Sequence, residues 1–339
     1  MFNFANPSCS IPFKASDGSG LNASQNDYFV DGVTATLDND LIARDVILQG
    51  GTINTNGYRI YCRNLILVIK GGSQPSFIIN KGADAVSGYA GGTGGAWGSL
   101  GGGTAGGVRG SNREEGITNP TNGGSVRLGS LGGSGGTGGD GTGGVQGGTG
   151  GLATANYAGS GLNLGSLSAP VQGITFTEGF FLGTPKPPAS TTSLVSLYGG
   201  AGGGGGYPGT TVGSDGGNGG GGGGSILICA AGDIELDNGC QIIADGGNGS
   251  DGIVSDSGQG GGGGGGGGGV VLLTCKTLSI SALNSAAIRA AGGSGGVSGT
   301  EFNYGQDGSS GKIWIKTSNG TFFREGIVLG SANPVFPIK

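Results

Sequence analysis

The chain has 339 residues, 89 of them glycine, with 34% apolar and 11% charged residues and a formal net charge of −5. So little charge sets it apart from ordinary disordered chains, which are charge-rich, and with no basic patch it is a poor candidate for nucleic-acid binding. There is no histidine, which removes Ser-His-Asp triads, Cys-His dyads and His-ligated metals together.

In chain order, residues 1–35 are mixed in composition and read as an N-terminal attachment or edge segment. Met1 to Ser10 lacks a basic and an apolar signal region, so synthesis without secretory export is expected. Residues 36–82 read as strands: Leu41-Ile42, Val46-Ile47-Leu48, Thr52-Ile53, Tyr58 to Tyr61 and Leu65 to Ile69 are short runs rich in β-branched and aromatic residues. Asn56-Gly57 and Gly71-Gly72 punctuate them. Residues 83–224 form a glycine-rich region with intervening strands. Residues 225–339 carry β-repeats with glycine-rich excursions. No stretch shows a capped helical period, and no apolar run approaches the roughly 18 residues of a membrane helix.

The repeat in the last third has a period of 46. Ile226-Leu227-Ile228-Cys229 and onward aligns without a gap on Leu272-Leu273-Thr274-Cys275 and onward, so Cys229 falls on Cys275 and Ile242 on Ile288. Lys312-Ile313-Trp314-Ile315 opens a third copy, and residues 65–82 echo the theme. Such a unit buries its apolar face only by stacking on its neighbours. Cys9, Cys62, Cys229, Cys240 and Cys275 are odd in number and include no C-x-x-C pair, which suits buried free thiols. Cys229 and Cys275 are expected to stack in the core.

The glycines occur in runs: 202–206, 219–224 and 260–269. Glycine can adopt the extended threefold polyproline II helix, which has no internal hydrogen bonds and presents its amides on all sides. Such helices can pair side by side where side chains are missing. The strict Gly-X-Y register and high proline of collagen are absent. The expected fold is therefore all-β, with stacked strand repeats of β-helix or sandwich type, a layer of packed polyglycine II helices and essentially no α-helix.

Several motifs carry little weight. The G-x-G-x-x-G matches follow from glycine content and lack a βαβ context, and no P-loop is present. Gly246 to Val254 fits one calcium nonapeptide, making Asp251 a candidate ligand, but that motif works in tandem. The scattered acidic residues, such as Asp233, Asp237 and Asp245, suit turns. No enzyme activity, cofactor or metal is expected. Tyr89, Trp97, Tyr157, Tyr207, Phe302 and Tyr304 sit where the chain bends out of glycine runs. They either plug loop ends or form exposed ring platforms for a sugar or protein partner.

The glycine runs and aromatic-bearing turns, over roughly residues 83–310, resemble the glycine-rich adhesins at the tips of long tail fibres in T-even-like phages. That resemblance implies a sandwich of polyglycine helices whose distal loops recognise an outer-membrane protein or lipopolysaccharide. It also implies a place on the virion surface, beside other fibre subunits. A capsid decoration protein or a self-assembling extracellular filament subunit is the structural alternative, and a β-helical polysaccharide depolymerase the enzymatic one.

Overall fold

The computed structural model describes residues 20–22, 27–86, 90–98, 100, 102–114, 116–125, 138–139, 147–150, 199–255, 258–281, 286–298, 304–317 and 320–328. Among them there is no α-helix, and the strands wind as a coil with three faces. After β1 (Gly20–Asn22), the first turn runs through β2 (Asp27–Asp31), β3 (Thr34–Thr36) and β4 (Leu41–Ile42). The second runs through β5 (Asp45–Gln49), β6 (Thr52–Asn54) and β7 (Ile60–Cys62). The third begins with β8 (Asn64–Val68) and β9 (Phe77–Ile79). It then leaves on a long excursion that includes the hairpin β10 (Ser111–Arg113) and β11 (Gly116–Thr118), and returns as β12 (Ser225–Ala230). The fourth has β13 (Asp233–Leu236) and β14 (Gln241–Ile243), an excursion with the small hairpin β15 (Val254–Ser255) and β16 (Gly258–Gln259), then β17 (Val270–Thr274). The fifth has β18 (Thr277–Ile280), β19 (Ile288–Ala290) and β20 (Lys312–Thr317). All three excursions leave at the same corner, between the second and third faces. Two strands of the first turn, β2 and β3, thus come from the segment read in sequence as an attachment region.

Successive turns pair in parallel, and equivalent apolar residues stack in columns. On the first face Tyr28, Val46, Leu65, Ile234 and Leu278 lie in register. Ala35, Ile53, Ile78, Ile242 and Ile288 do so on the second face. Leu41, Ile60, Ile228, Leu273 and Ile315 do so on the third. All are buried and converge on one core. Alternation explains this: every second residue of each strand points inward. Burying each of the larger side chains contributes roughly 1.5–3 kcal/mol.

The gap-free 46-residue alignment needs correction. Ile242 pairs with Ile288 as expected, but Cys229 lies beside Thr274 rather than Cys275, and Ile234 lies beside Leu278 rather than Ile280. The corners between faces differ in length by a residue or two from one turn to the next, so register is set strand by strand. Cys62 faces Ala230. Cys62, Cys240 and Cys275 are buried free thiols and Cys229 is partly so. Burial raises all four thiol pKa values, those of Cys229 and Cys275 to about 12. Their unfolded counterparts ionise near pH 8.5, so the unfolded state loses protons first. Stability is therefore expected to be unaffected by these thiols below about pH 8.5 and to fall as pH rises towards 12. Alkaline denaturation of wild type against Cys229→Ser with Cys275→Ser tests this, the variant losing part of the pH dependence.

The chain reverses at both ends of the coil. β1 runs antiparallel along β2. At the other end β21 (Gly320–Val328) folds back antiparallel along β20 and then β19, turning between the two faces at Gly326, whose φ is +79°.

Outside the coil the glycine runs form a lattice. Along 260–269, residues 261, 264 and 267 donate to the carbonyls of Tyr207, Gly204 and Ala201. Residues 260, 263, 266 and 269 donate to Ile253, Ser250, Gly247 and Ala244, and residues 265 and 268 to Gln306 and Ser309. Bonds to a given neighbour recur every third residue, the signature of a threefold extended helix. The carbonyls of the same helix accept from 217, 220 and 223, from 293 and 296, and from 139. The helix is thus enclosed on six sides. The helices 199–207 and 215–224 are enclosed in the same way. These three touch one another, and the shorter outer segments surround them: 82–86, 91–96, 102–110, 121–125, 138–139, 147–150, 244–253, 291–298 and 304–311. This is hexagonal packing of rods. The three long glycine runs are its three centres, where no direction is open for a side chain. A Cβ on Gly266 would lie 2.1 Å from the Gly221 carbonyl oxygen.

The outer segments keep side chains on their exposed sides, and some of these cap neighbouring amides. Asp245, Asn248 and Asp251 accept the amides of Ala291, Ser294 and Val297, each at 2.8 Å. Asn80, buried where the first excursion leaves, bonds both Ala96 and the Ser225 carbonyl.

Candidate functional site

The lattice has two ends. The inner end joins the coil at residues 80, 96, 199, 224, 244, 269, 291 and 311. The outer end carries the chain at Val86, the β10–β11 hairpin, the 209–215 turn, the β15–β16 hairpin and the rod ends at 298 and 304. Exposed large apolar side chains gather there: Val86 (65% exposed), Ile117, Val212, Ile253, Val297 and Tyr304. Between them they come from every one of these outer turns. Among the described residues, exposed side chains along the flanks are small or polar, as at Thr93, Ala105, Thr121, Asn248, Ser294 and Ser309. Scattered apolar exposure is ordinary, but its concentration at one end of an otherwise polar rod marks an interaction surface.

Hydrogen bonds hold these ends together. Ile253 donates its amide to the Asp215 carbonyl, and Gly252 donates to that of Val297. Gly213 donates to the Asn112 carbonyl, and Asn112 lies opposite Ile117 in the hairpin.

Of the six aromatic candidates, Tyr89, Tyr157 and Phe302 lie outside the described residues. Tyr304 is exposed at the outer end. Tyr207 is half-buried there, its amide bonded to the Gly139 carbonyl and its own carbonyl to Gly261. Trp97 is 38% exposed but sits at the inner end. Its backbone packs on Gly57, where a Cβ would come within 2.5 Å, beside the turn at Asn56 (φ 50°). The structure therefore separates Trp97 from Tyr207 and Tyr304. The aliphatic residues of the outer turns escaped sequence reasoning, since a lone valine in a turn carries no pattern.

The calcium candidate Asp251 uses one carboxylate oxygen to accept the Val297 amide. Among the described residues no three or more Cys, Asp or Glu side chains group as metal ligands would. Asp215 is paired with Arg109 at 3.0 Å. Burial raises the pKa of Asp245, against the pull of the Ala291 amide and Arg289. No protein-family model, curated protein or solved structure matches the chain.

Proposed function

We propose that the chain is a non-enzymatic binding protein in which a stiff glycine lattice presents recognition loops at its outer end. In keeping with its resemblance to tail-fibre tip adhesins, we assign it to the surface of a bacteriophage particle, with a host cell-surface molecule as its target. The observation that carries this reading is the gathering of exposed apolar side chains on the outer turns and, among the described residues, their absence from the flanks. A scaffold with paired amides and few side chains loses little entropy when its loops bind, and recognition loops on rigid scaffolds are a general arrangement.

Among the described residues, the remaining exposed large apolar side chains apart from Trp97 are Phe29, Val33 and Ile42, all in the first turn of the coil. There β3 and β4 end their sheet among the described residues. This end suits attachment to other fibre or virion subunits. The capsid decoration reading shares this surface. A filament grown by continuing the coil is disfavoured because β21 covers two of the three faces at the far end.

The test is binding of the fluorescently labelled chain to intact bacteria from its source sample. The double variant Ile117→Asp with Val212→Asp is expected to bind at least tenfold more weakly, with its melting temperature within about 2 °C of wild type, because both side chains face solvent. Equal binding by the variant, or labelling of capsids rather than cells, would overturn the reading.

A further inference from the structure

A buried polar cluster lies beneath the apolar outer turns. Arg109 Nη2 and Asp215 Oδ2 pair at 3.0 Å with side chains 10% and 11% exposed. The other oxygen of Asp215 accepts the Asn112 amide at 3.2 Å. Asn112 Nδ2 donates to the Gly209 carbonyl at 2.9 Å. Asn218, fully buried, accepts the Arg109 amide through Oδ1 at 3.0 Å and donates from Nδ2 to the Val86 carbonyl at 2.8 Å. Its amide is bonded in turn to Ser250 Oγ at 2.8 Å. Four residues thus reach four separate turns: that of Val86, the hairpin of Ile117, the turn of Val212 and, through the Asp215 carbonyl, the strand end at Ile253.

The cluster is an expensive way to stabilise a fold. A buried ion pair roughly breaks even against apolar residues of the same size. Elsewhere in the lattice, backbone bonding holds the rods together, helped at the rim by single side chains that each cap one neighbouring amide, as Asn248 and Asp251 do. What a buried hydrogen-bonded network adds is a single geometry. We propose that Arg109, Asn112, Asp215 and Asn218 are positioning residues that lock these four turns into one preorganised recognition surface. The purpose of this coupling rests on the binding function proposed above; the coupling itself does not.

Hydrogen exchange by mass spectrometry on the full chain tests it without a partner. In Asn218→Ala and in Asp215→Asn, amides around 86, 112–118, 209–214 and 253 are expected to exchange about tenfold faster, all together. Protection of β12, β17 and β20 should stay unchanged, which also shows that the variant folds. Val212→Ala should leave exchange unaltered. Cell binding by the two cluster variants should weaken about tenfold through faster dissociation. If Asp215→Asn does not fold, Asn218→Ala alone decides. Loosening confined to the turn that carries the substitution, or none at all, overturns the proposal. Joint loosening with no cell binding by wild type upholds the coupling and overturns the binding function alone.

Discussion

Replacing Gly263 by alanine is expected to destabilise the protein by about 3 kcal/mol or more, a large effect for one methyl group. The added Cβ would stand 1.9 Å from the Asn218 carbonyl oxygen. That oxygen is fixed because it accepts the Ser250 amide, so the neighbouring rod has to move and its bonds must lengthen. Gly213 supplies the control. Its φ is +87°, but nothing lies within 4 Å of a Cβ there, so alanine should cost only about 1–2 kcal/mol for its left-handed backbone. Urea midpoints of the two variants make the comparison. If Gly263→Ala proves as mild as Gly213→Ala, the rods are not packed at the spacing described.

The second large effect concerns the terminal strand. A chain ending at Thr317 lacks β21, which pairs with all six residues of β20 and all three of β19. Its loss leaves parallel edges on two faces, and unpaired edges recruit other chains. The truncated protein is expected to run as aggregates in size-exclusion chromatography with light scattering, where wild type elutes as a discrete species. A monodisperse truncated protein of unchanged melting temperature would mean that β21 is not the cap.

Much of the fold is legible because two different periodicities are written in the chain. Alternation in Ile226, Ile228, Ile234, Leu236 and Ile242 marks strands with one face buried, and all five are core residues. Glycine density in the lattice is equally direct: the runs 202–206, 219–224 and 260–269 mark rods with neighbours on every side, while segments such as 244–253, with side chains at Asp245, Asn248 and Asp251, lie on the rim. Register was not legible. The Cys229 and Cys275 alignment fails because corner lengths vary between turns, and a sequence period averages over them. The candidate site was read only in part. Tyr304 draws notice in the sequence because a ring stands out among glycines, whereas Val86 and Val212 carry no pattern. That Trp97 lies at the inner end is not legible, because both ends of a rod look alike in sequence, and which bend lies near the coil depends on counting every reversal of the chain. The buried cluster was invisible, since Arg109 and Asp215 are a hundred residues apart and become neighbours only through the lattice.

The position of the 260–269 rod also has a consequence in time. It is one of the three centres of the lattice, yet most of the rods around it are made earlier in synthesis. At about 5–20 residues per second, the 138–139 segment emerges on the order of ten seconds before it. Helix 215–224, which donates amides to the carbonyls of 261, 264 and 267, has no acceptor there until then. The lattice therefore cannot close progressively from its N-terminal side. Its contacts are long-range, which slows folding, and its completion is tied to formation of the last two turns of the coil, whose strands β14 and β17 bring that rod into place and whose strands β19 and β20 bring its last two neighbours.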